Sequence, residues 1–398
     1  IMGIARGPNL IKDNLVFGYD TGYGIADNKT STRFYPGEPT TNAVPLSTFI
    51  NTSNWTGAGW SGTIAVSADY DNTLELTSTN GWRTWRVNTG ITSGGTVTVS
   101  YEYKMKTLAT TNVFMLNLNG DQLGSYVNSL GSISAADTQD LSNWKTFTGT
   151  FTANSNSNLA IGLRGADGQA LTDTIYVRNL QVELKGQPSP FTATSRSSTQ
   201  SLIDLKSTTD IDVSNVSFDS NGQPDFDGTD DEIQIASSDW NKVTQVTVEA
   251  IVLVKGTPID GNGYHVVAQK DGAYSGGSVY GIRISGANVP YGVFSKDATV
   301  AGTHIDTVAG TTMTTNKYYH LVYTRKVGES VFYQNGEQKS INTSSNDVIY
   351  NNTSTFTIGQ GDGRQLYGSI PVLKVHNRAL TAGEVKQNYN AYKNRFDI

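Results

Sequence analysis

Five tryptophans fall within one stretch of this chain: Trp55, Trp60, Trp82, Trp85 and Trp144. A flat π surface can stack against the C–H face of a pyranose ring while neighbouring polar side chains fix the hydroxyls. Trp82 and Trp85 are three residues apart in NGWRTWRV, so on a strand they point to opposite faces. Trp85 shares its face with Val87 and is assigned to the core. That leaves Trp82, with Arg86 beside it, as a contact residue. Trp55 and Trp60 sit in NWTGAGWSG, whose Gly and Ser content places them on a loop. The carbohydrate-contact set read from the sequence is therefore Trp55, Trp60, Trp82 and Arg86.

Hydrolysis of a glycosidic bond would need two carboxylates a short distance apart on one face, one acting as acid and the other as nucleophile or base. No Glu-x-Asp-x-Glu or close relative occurs. Glu249 stands between Val248 and Ala250, and Asp230-Asp231-Glu232 follows a Gly-Thr turn in which alternate side chains diverge. No catalytic residue is assigned, and the expectation is a protein without enzymatic activity. The four histidines, His265, His304, His320 and His376, show no metal-ligand spacing and read as packing or surface residues.

The elements that must position these residues are strands. Only 16% of residues are charged, 20 Tyr outnumber 13 Phe, and Gly is abundant, the balance of many short strands joined by polar turns. A net charge of -6 argues against a nucleic-acid partner, which requires a basic surface. No apolar run is long enough to cross a bilayer, so no membrane insertion is expected. The start, IMGIARGPNL, has no apolar core of signal-peptide length, so classical secretion is not expected of the chain as given. There are no cysteines, hence no disulfides, thiolate metal sites or Cys nucleophiles.

Val97, Val99, Tyr101 and Tyr103 alternate with Thr98, Ser100, Glu102 and Lys104, the period of a half-buried strand. Further strands are predicted at Val113–Leu118, Lys145–Thr152, Leu159–Leu163 and Thr174–Leu184. Downstream, Val246, Val248, Ala250, Val252 and Val254 share one face of a strand, and Thr247, Glu249, Ile251 and Leu253 share the other. That strand should be buried on both sides near its end. Asn335-Gly336 between two strand-like runs predicts a type I′ hairpin. Thr381-Ala382-Gly383-Glu384 has capping-box spacing, opening a closing helix whose Val385, Tyr389 and Tyr392 should face the sheet.

NLVFGYD (Asn14 to Asp20) looks like a first strand without neighbours. With FDGTDDEIQI (226 to 235), TVEAIVLVK (247 to 255), VFYQNGE (331 to 337), FTIGQ (356 to 360) and YGSIPVLKVHNRALTAGEVKQNYNA (367 to 391), it resembles the laminin-G-like, concanavalin-A-like jelly roll of bacterial and phage surface proteins. In such domains the opening strand passes quickly to a segment similar to SLIDLKSTTDIDVSNVSFDS, which lies here at 201 to 220. The intervening part, ending IYVRNLQVELKGQPSPF (175 to 191), resembles carbohydrate-binding-module-like jelly rolls, whose last strand has a similar Gln-x-Glu pattern.

The predicted fold is thus all-β: two antiparallel β-sandwich jelly rolls, one inserted in the other, with a short C-terminal helix. Residues 1–41 form a leader and the first strand, 42–190 the insert, and 191–398 the rest of the split jelly roll. The resemblance to tail-fibre and other virion surface proteins of tailed phages implies a non-enzymatic adhesin. Its partners would be other virion structural proteins and host surface polysaccharide, and a homotrimer is one assembly left open. Two other readings stand: a structural capsid or tail decoration protein, and a secreted bacterial glycan-binding or glycan-degrading protein. Jelly rolls of both types often carry calcium on Asp and Asn oxygens, which makes Asp227, Asp230, Asp231, Asp271, Asp362 and Asn335 the candidate ligands, although Asx residues in turns commonly bond their own backbone.

Overall fold

The computed structural model describes residues 10–22, 37–59, 61–79, 83–91, 95–107, 117–118, 140–152, 158–163, 173–238, 241–259, 263–271, 278–296 and 305–398. The chain divides into two compact units, Ile1–Pro39 with Ser197–Ile398, and Thr40–Arg196. A two-residue ladder, Thr41 with Ser195 and Thr40 with Arg196, closes the second unit at its neck.

In the first unit an eight-stranded antiparallel sheet is centred on Val246–Val254, flanked by Tyr318–Lys326 and Tyr367–His376. The strand Leu15–Asp20 pairs with the far half of Tyr367–His376, Tyr19 opposite Leu373, while Pro224–Asp227 pairs with its near half. The beginning of the chain therefore completes a sheet whose other strands follow the insert. A six-stranded sheet, in the order Ile233–Ile235, Phe356–Ile358, Tyr264–Asp271, Ser278–Ser285, Pro290–Phe294 and Ile305–Ala309, forms the other layer. Phe17, Val248, Ala250, Val252, Tyr280, Ile282, Phe356 and Leu373 pack into one core. Burying one such side chain is worth about 1.5–3 kcal/mol, so the alternation of Val246–Val254 is enough to fix which face turns inward.

Asn335 and Gly336 have φ of 53° and 70°, the paired positive angles of a type I′ turn. A Cβ at Gly336 would lie 2.8 Å from the Tyr389 side chain, so this glycine also admits the helix. That helix, Ala382–Phe396, begins as expected: the Thr381 hydroxyl accepts from the Glu384 amide at 3.3 Å, and the Glu384 carboxylate accepts from the Thr381 amide at 2.8 Å. Its buried residues are Val385, Asn388 and Tyr392. Asn388 takes the central place expected of Tyr389, because 385, 388 and 392 follow the helical face and a carboxylate waits beneath it.

The second unit has a five-stranded sheet, Gly62–Val66, Thr73–Ser78, Asp173–Glu183, Thr96–Met105 and Lys145–Thr152. It also has a four-stranded sheet, Thr56–Gly59, Arg83–Asn88, Asn158–Leu163 and Asn117–Leu118. Its core includes Leu74, Leu76, Trp85, Val97, Val99, Tyr101, Ile175 and Val177. Of the expected strand Val113–Leu118, only residues 117–118 lie within the described residues. Both units are antiparallel sandwiches.

Candidate functional site

The five-stranded sheet of the second unit turns its apolar face inward and carries a polar, aromatic face on the other side. On Thr96–Met105 the outward row is Thr98, Ser100, Glu102 and Lys104. On Asp173–Glu183 it is Tyr176 and Arg178, with Tyr176 opposite Lys104 and Arg178 opposite Glu102. A backbone irregularity at Asn179, whose φ is 53°, then shifts the register, and Gln181 and Glu183 join the outward row opposite Ser100 and Thr98. On Lys145–Thr152 the row is Thr146, Thr148 and Thr150, all exposed, preceded by Trp144.

Aromatic rings gather at one end of this face. Tyr70, on the turn between the first two strands, lies edge-on to Trp144 at 5.4 Å and to Tyr176 at 5.0 Å. The Arg178 guanidinium sits 3.8 Å above the Trp144 ring and is held there by Glu102 at 2.6 Å, a plate made of an indole and a planar cation. Lys104 donates to the Tyr70 hydroxyl at 2.6 Å, and the Tyr176 hydroxyl donates to Asp69. Lys106 bridges Asp69 and Glu75, each at 3.0 Å. The Glu75 and Asp69 hydrogen bonds raise the Lys106 ammonium well above the ordinary lysine value, and the Tyr176 hydroxyl is pushed up to about 12 by burial and by Asp69. Tyr176 itself is 4% exposed and Lys106 lies over its ring, so the half-buried Trp144 and Tyr70, with Lys104 and Arg178 against their rings, are the aromatic surface that meets solvent.

The residues singled out from sequence are placed differently. Trp55 is a core residue, 7% exposed: its Nε1 donates to the Phe49 carbonyl at 2.8 Å and its ring lies edge-on to Phe49. The Gly-rich stretch after it is a strand, Thr56–Gly59, not a loop, and that strand draws the indole inward. Trp60 and Trp82 lie outside the described residues. Trp85 is 1% exposed, in the core face it shares with Val87. Arg86 is half-buried on the opposite face of that strand, in the four-stranded sheet, and so belongs to a different sheet from Trp144. Trp144, Tyr70 and Tyr176 were not in the predicted set. The available signal was Tyr176 and Arg178 on the polar side of IYVRN, between Ile175 and Val177.

Among the expected calcium ligands, Asp227, Asp230 and Asp231 come together, with ligand atoms within 4.8 Å of one another. The Asp227 carboxylate accepts the Thr229 amide at 2.7 Å, and Asp231 accepts the Asp227 amide at 2.8 Å, so the turn's own backbone uses both groups. Burial, with the nearby Asp227 and Asp230 charges, pushes the Asp231 carboxyl up to about 6. Asp271 and Asp362 do not join this group. Asp271 accepts from Gln269, Thr355 and Thr357, and Asp362 pairs with Arg364 at 2.8 Å, so protein donors occupy both carboxylates. The Asn335 side-chain oxygen accepts the His320 amide at 3.0 Å.

Residues 227–386 match the family model of the concanavalin A-like lectin/glucanases superfamily. No curated protein sequence matches the chain. Solved structures similar to part of it include the botulinum neurotoxin serotype D binding domain (15% identity, 49% of each chain, TM-score 0.38). Another is the binding domain of Paraclostridial Mosquitocidal Protein 1 (14% identity, 48% of this chain and 50% of that one, TM-score 0.40). A third is a mutant Trypanosoma rangeli sialidase displaying trans-sialidase activity (14%, 48% and 31%, TM-score 0.37). The chain spans half or less of each of these proteins.

The matched segment contains Glu249, which the structure gives partners that the sequence did not suggest. It is fully buried and accepts from His320 Nε2 and from Asn388 Nδ2, both at 2.8 Å, with Lys374 opposite on the next strand. Burial alone would raise this carboxyl, but the Lys374 charge and the His320 hydrogen bond outweigh it and hold it down at about 2. Lys374 donates to the Tyr392 hydroxyl, and Asn388 also accepts the Ile11 amide at 2.8 Å. The group sits beneath the helix, where no sugar can reach it. Its role is to bind helix and N-terminal segment to the sheet. His265, bonded to the carbonyls of Gly256 and Gln365, is likewise structural, and His304 lies outside the described residues.

Proposed function

We propose that this protein is a non-enzymatic glycan-binding protein of a phage particle surface, of the tail-fibre or adhesin kind. The observation that carries the binding part is the Trp144–Tyr70–Tyr176 platform on the open face of the five-stranded sheet, with Arg178 and Lys104 fixed around it. The lectin-like fold of the other unit agrees with it, and fold alone does not assign a ligand. The virion part rests on the sequence resemblance. The absence of hydrolysis is argued from Glu249, whose carboxylate is sealed from solvent and committed to His320 and Asn388.

The test is adsorption of the purified full chain to cells and to envelope polysaccharide of candidate bacterial hosts. Trp144→Ala should weaken binding at least about tenfold, since a stacked aromatic is worth about 1–3 kcal/mol in comparable recognition, while the thermal midpoint moves little. Binding unchanged in that variant overturns the assignment of the platform. Electron microscopy of particles tests the rest: density for this chain at a fibre tip or baseplate rim supports attachment, and a lattice of copies over the capsid supports decoration instead.

A further inference from the structure

We infer that the ligand of this face is a neutral polysaccharide chain lying along the strand Lys145–Thr152, rather than a single terminal sugar; this rests on the glycan-binding reading above. Three features lead to it. First, the outward side chains continue beyond the aromatic end as a row of exposed hydroxyls, Thr146, Thr148 and Thr150, with Ser100 opposite Thr148, while the Thr98 hydroxyl opposite Thr150 is buried and donates to the Lys185 carbonyl at 2.8 Å. From Trp144 to Thr150 this row runs six residues, about 20 Å at strand rise, longer than one sugar ring. Hydroxyls act as donor and acceptor alike, so a ladder of them suits successive sugar hydroxyls without demanding one stereochemistry.

Second, one flank of the row is built up. Gln181 and Glu183, outward on the neighbouring strand, are both fully buried because the exit segment lies over them: Gln181 donates to the Ser189 carbonyl at 2.9 Å, and Glu183 accepts the Ser189 amide at 3.0 Å. The Gln-x-Glu pattern thus holds Ser189 and Pro190 over that side, while Thr146, Thr148 and Thr150 stay exposed. Tyr70 closes over the aromatic end through its contacts with Trp144 and Lys104. The accessible strip is therefore longer along the strand than across it.

Third, the charges cancel. Asp69, Glu75 and Glu102 stand with Lys104, Lys106 and Arg178, and Lys106 and Arg178 are already paired to these carboxylates at 2.6–3.0 Å. A uronic-acid or sulfated chain would have to compete with those pairs. A neutral chain leaves them intact.

The experiment is calorimetric titration of the full chain with neutral gluco-, xylo- and manno-oligosaccharides of one to six rings, and with a uronic-acid series as a control. The inference expects at least one neutral series whose affinity rises about tenfold or more from two rings to six and is lost with Trp144→Ala. The double variant Thr146→Val, Thr148→Val keeps β-branched side chains but removes two hydroxyls. It should weaken six-ring binding about tenfold and leave one- and two-ring binding unchanged. Trp144-dependent binding that is equally tight at one ring and six overturns the chain inference alone. A uronic-acid series that binds more tightly than any neutral one overturns the neutral class. Binding by no series, or binding indifferent to Trp144, removes the glycan reading with it.

Discussion

The strands Thr96–Met105 and Val246–Val254 carry the same device, a glutamate in the outward row of a strand whose other face is core, in two different settings. Glu102 is about a third exposed and meets Arg178 in reach of water. Glu249 has no exposure at all and is enclosed by His320, Lys374, Asn388 and Tyr392 beneath the C-terminal helix. What separates them is the company of the outward row. Around Glu102 it is Thr98, Ser100 and Lys104, which tolerate solvent; around Glu249 it is Ile251 and Leu253, which do not. An apolar outward row demands a cover, and the cover in turn demands that every charge under it be paired. The first face stays open to solvent at Thr146, Thr148 and Thr150, while the covered one is committed to holding the fold together.

Removing each glutamate gives the largest contrast. Glu249→Ala leaves His320 and Asn388 without their acceptor and Lys374 buried without its counter-charge, and should cost about 3–5 kcal/mol. Glu102→Ala removes a partly exposed pair worth about 0–1 kcal/mol. Urea denaturation of both variants checks this. Equal losses would mean that the helix does not seal the Glu249 group as described.

Acid should divide the two faces next. His376 is buried and its pKa is lowered below the usual 6.5, chiefly by desolvation. The unfolded chain therefore binds the proton more readily, and stability falls as pH drops through 6.5. Glu249, held at about 2, adds a second loss as pH falls from 4.5 towards 2, because its favourable ionised form must then be protonated. The thermal midpoint followed from pH 7.5 to 3 should show both declines, and His376→Asn should flatten the first. A flat profile between pH 7.5 and 5.5 in the wild type would mean that His376 is not held neutral by burial.

How much of this was legible beforehand depended on range. The hairpin at Asn335-Gly336, the Thr381–Glu384 capping box and the alternation of Thr96–Met105 are decided by neighbours in sequence, and all three stand in the structure. The isolated strand NLVFGYD was recognisable because its apolar pattern required a sheet, although its partner lies some 350 residues away. Contacts set by register were not legible. Tyr176 meets Lys104 only through cross-strand pairing, and the positive φ at Asn179 moves Gln181 and Glu183 onto a face that simple alternation denies them. Trp55 was misplaced because a Gly-rich run reads as a loop until the paired strand beside it is known. Asn388 was passed over because a polar residue on a helix's buried face makes sense only with Glu249 beneath it.

The smallest effect concerns a carboxyl buried without a cation. Within the same unit, Glu249 is held down by Lys374, whereas Asp231 has Asp227, Asp230 and Asp225 as its charged neighbours and is pushed up to about 6. A carboxyl raised in this way binds its proton more tightly in the folded chain, so the wild type loses stability as pH rises from 3.8 through about 6. Asp231→Asn keeps an oxygen that can accept the Asp227 amide and removes the charge. It should be neutral at pH 4 and gain about 1 kcal/mol at pH 7, the shift being discounted for the solvent around Asp227 and Asp230. A variant less stable than wild type at pH 7 would show that the ionised carboxylate has a favourable partner. Repeating the melt in calcium and in EDTA identifies that partner: a calcium-dependent rise in the wild type, absent in Asp231→Asn, would make the acidic turn an ion site. The rule drawn from the two glutamates would then cover all three carboxylates, each buried charge having its counter-charge.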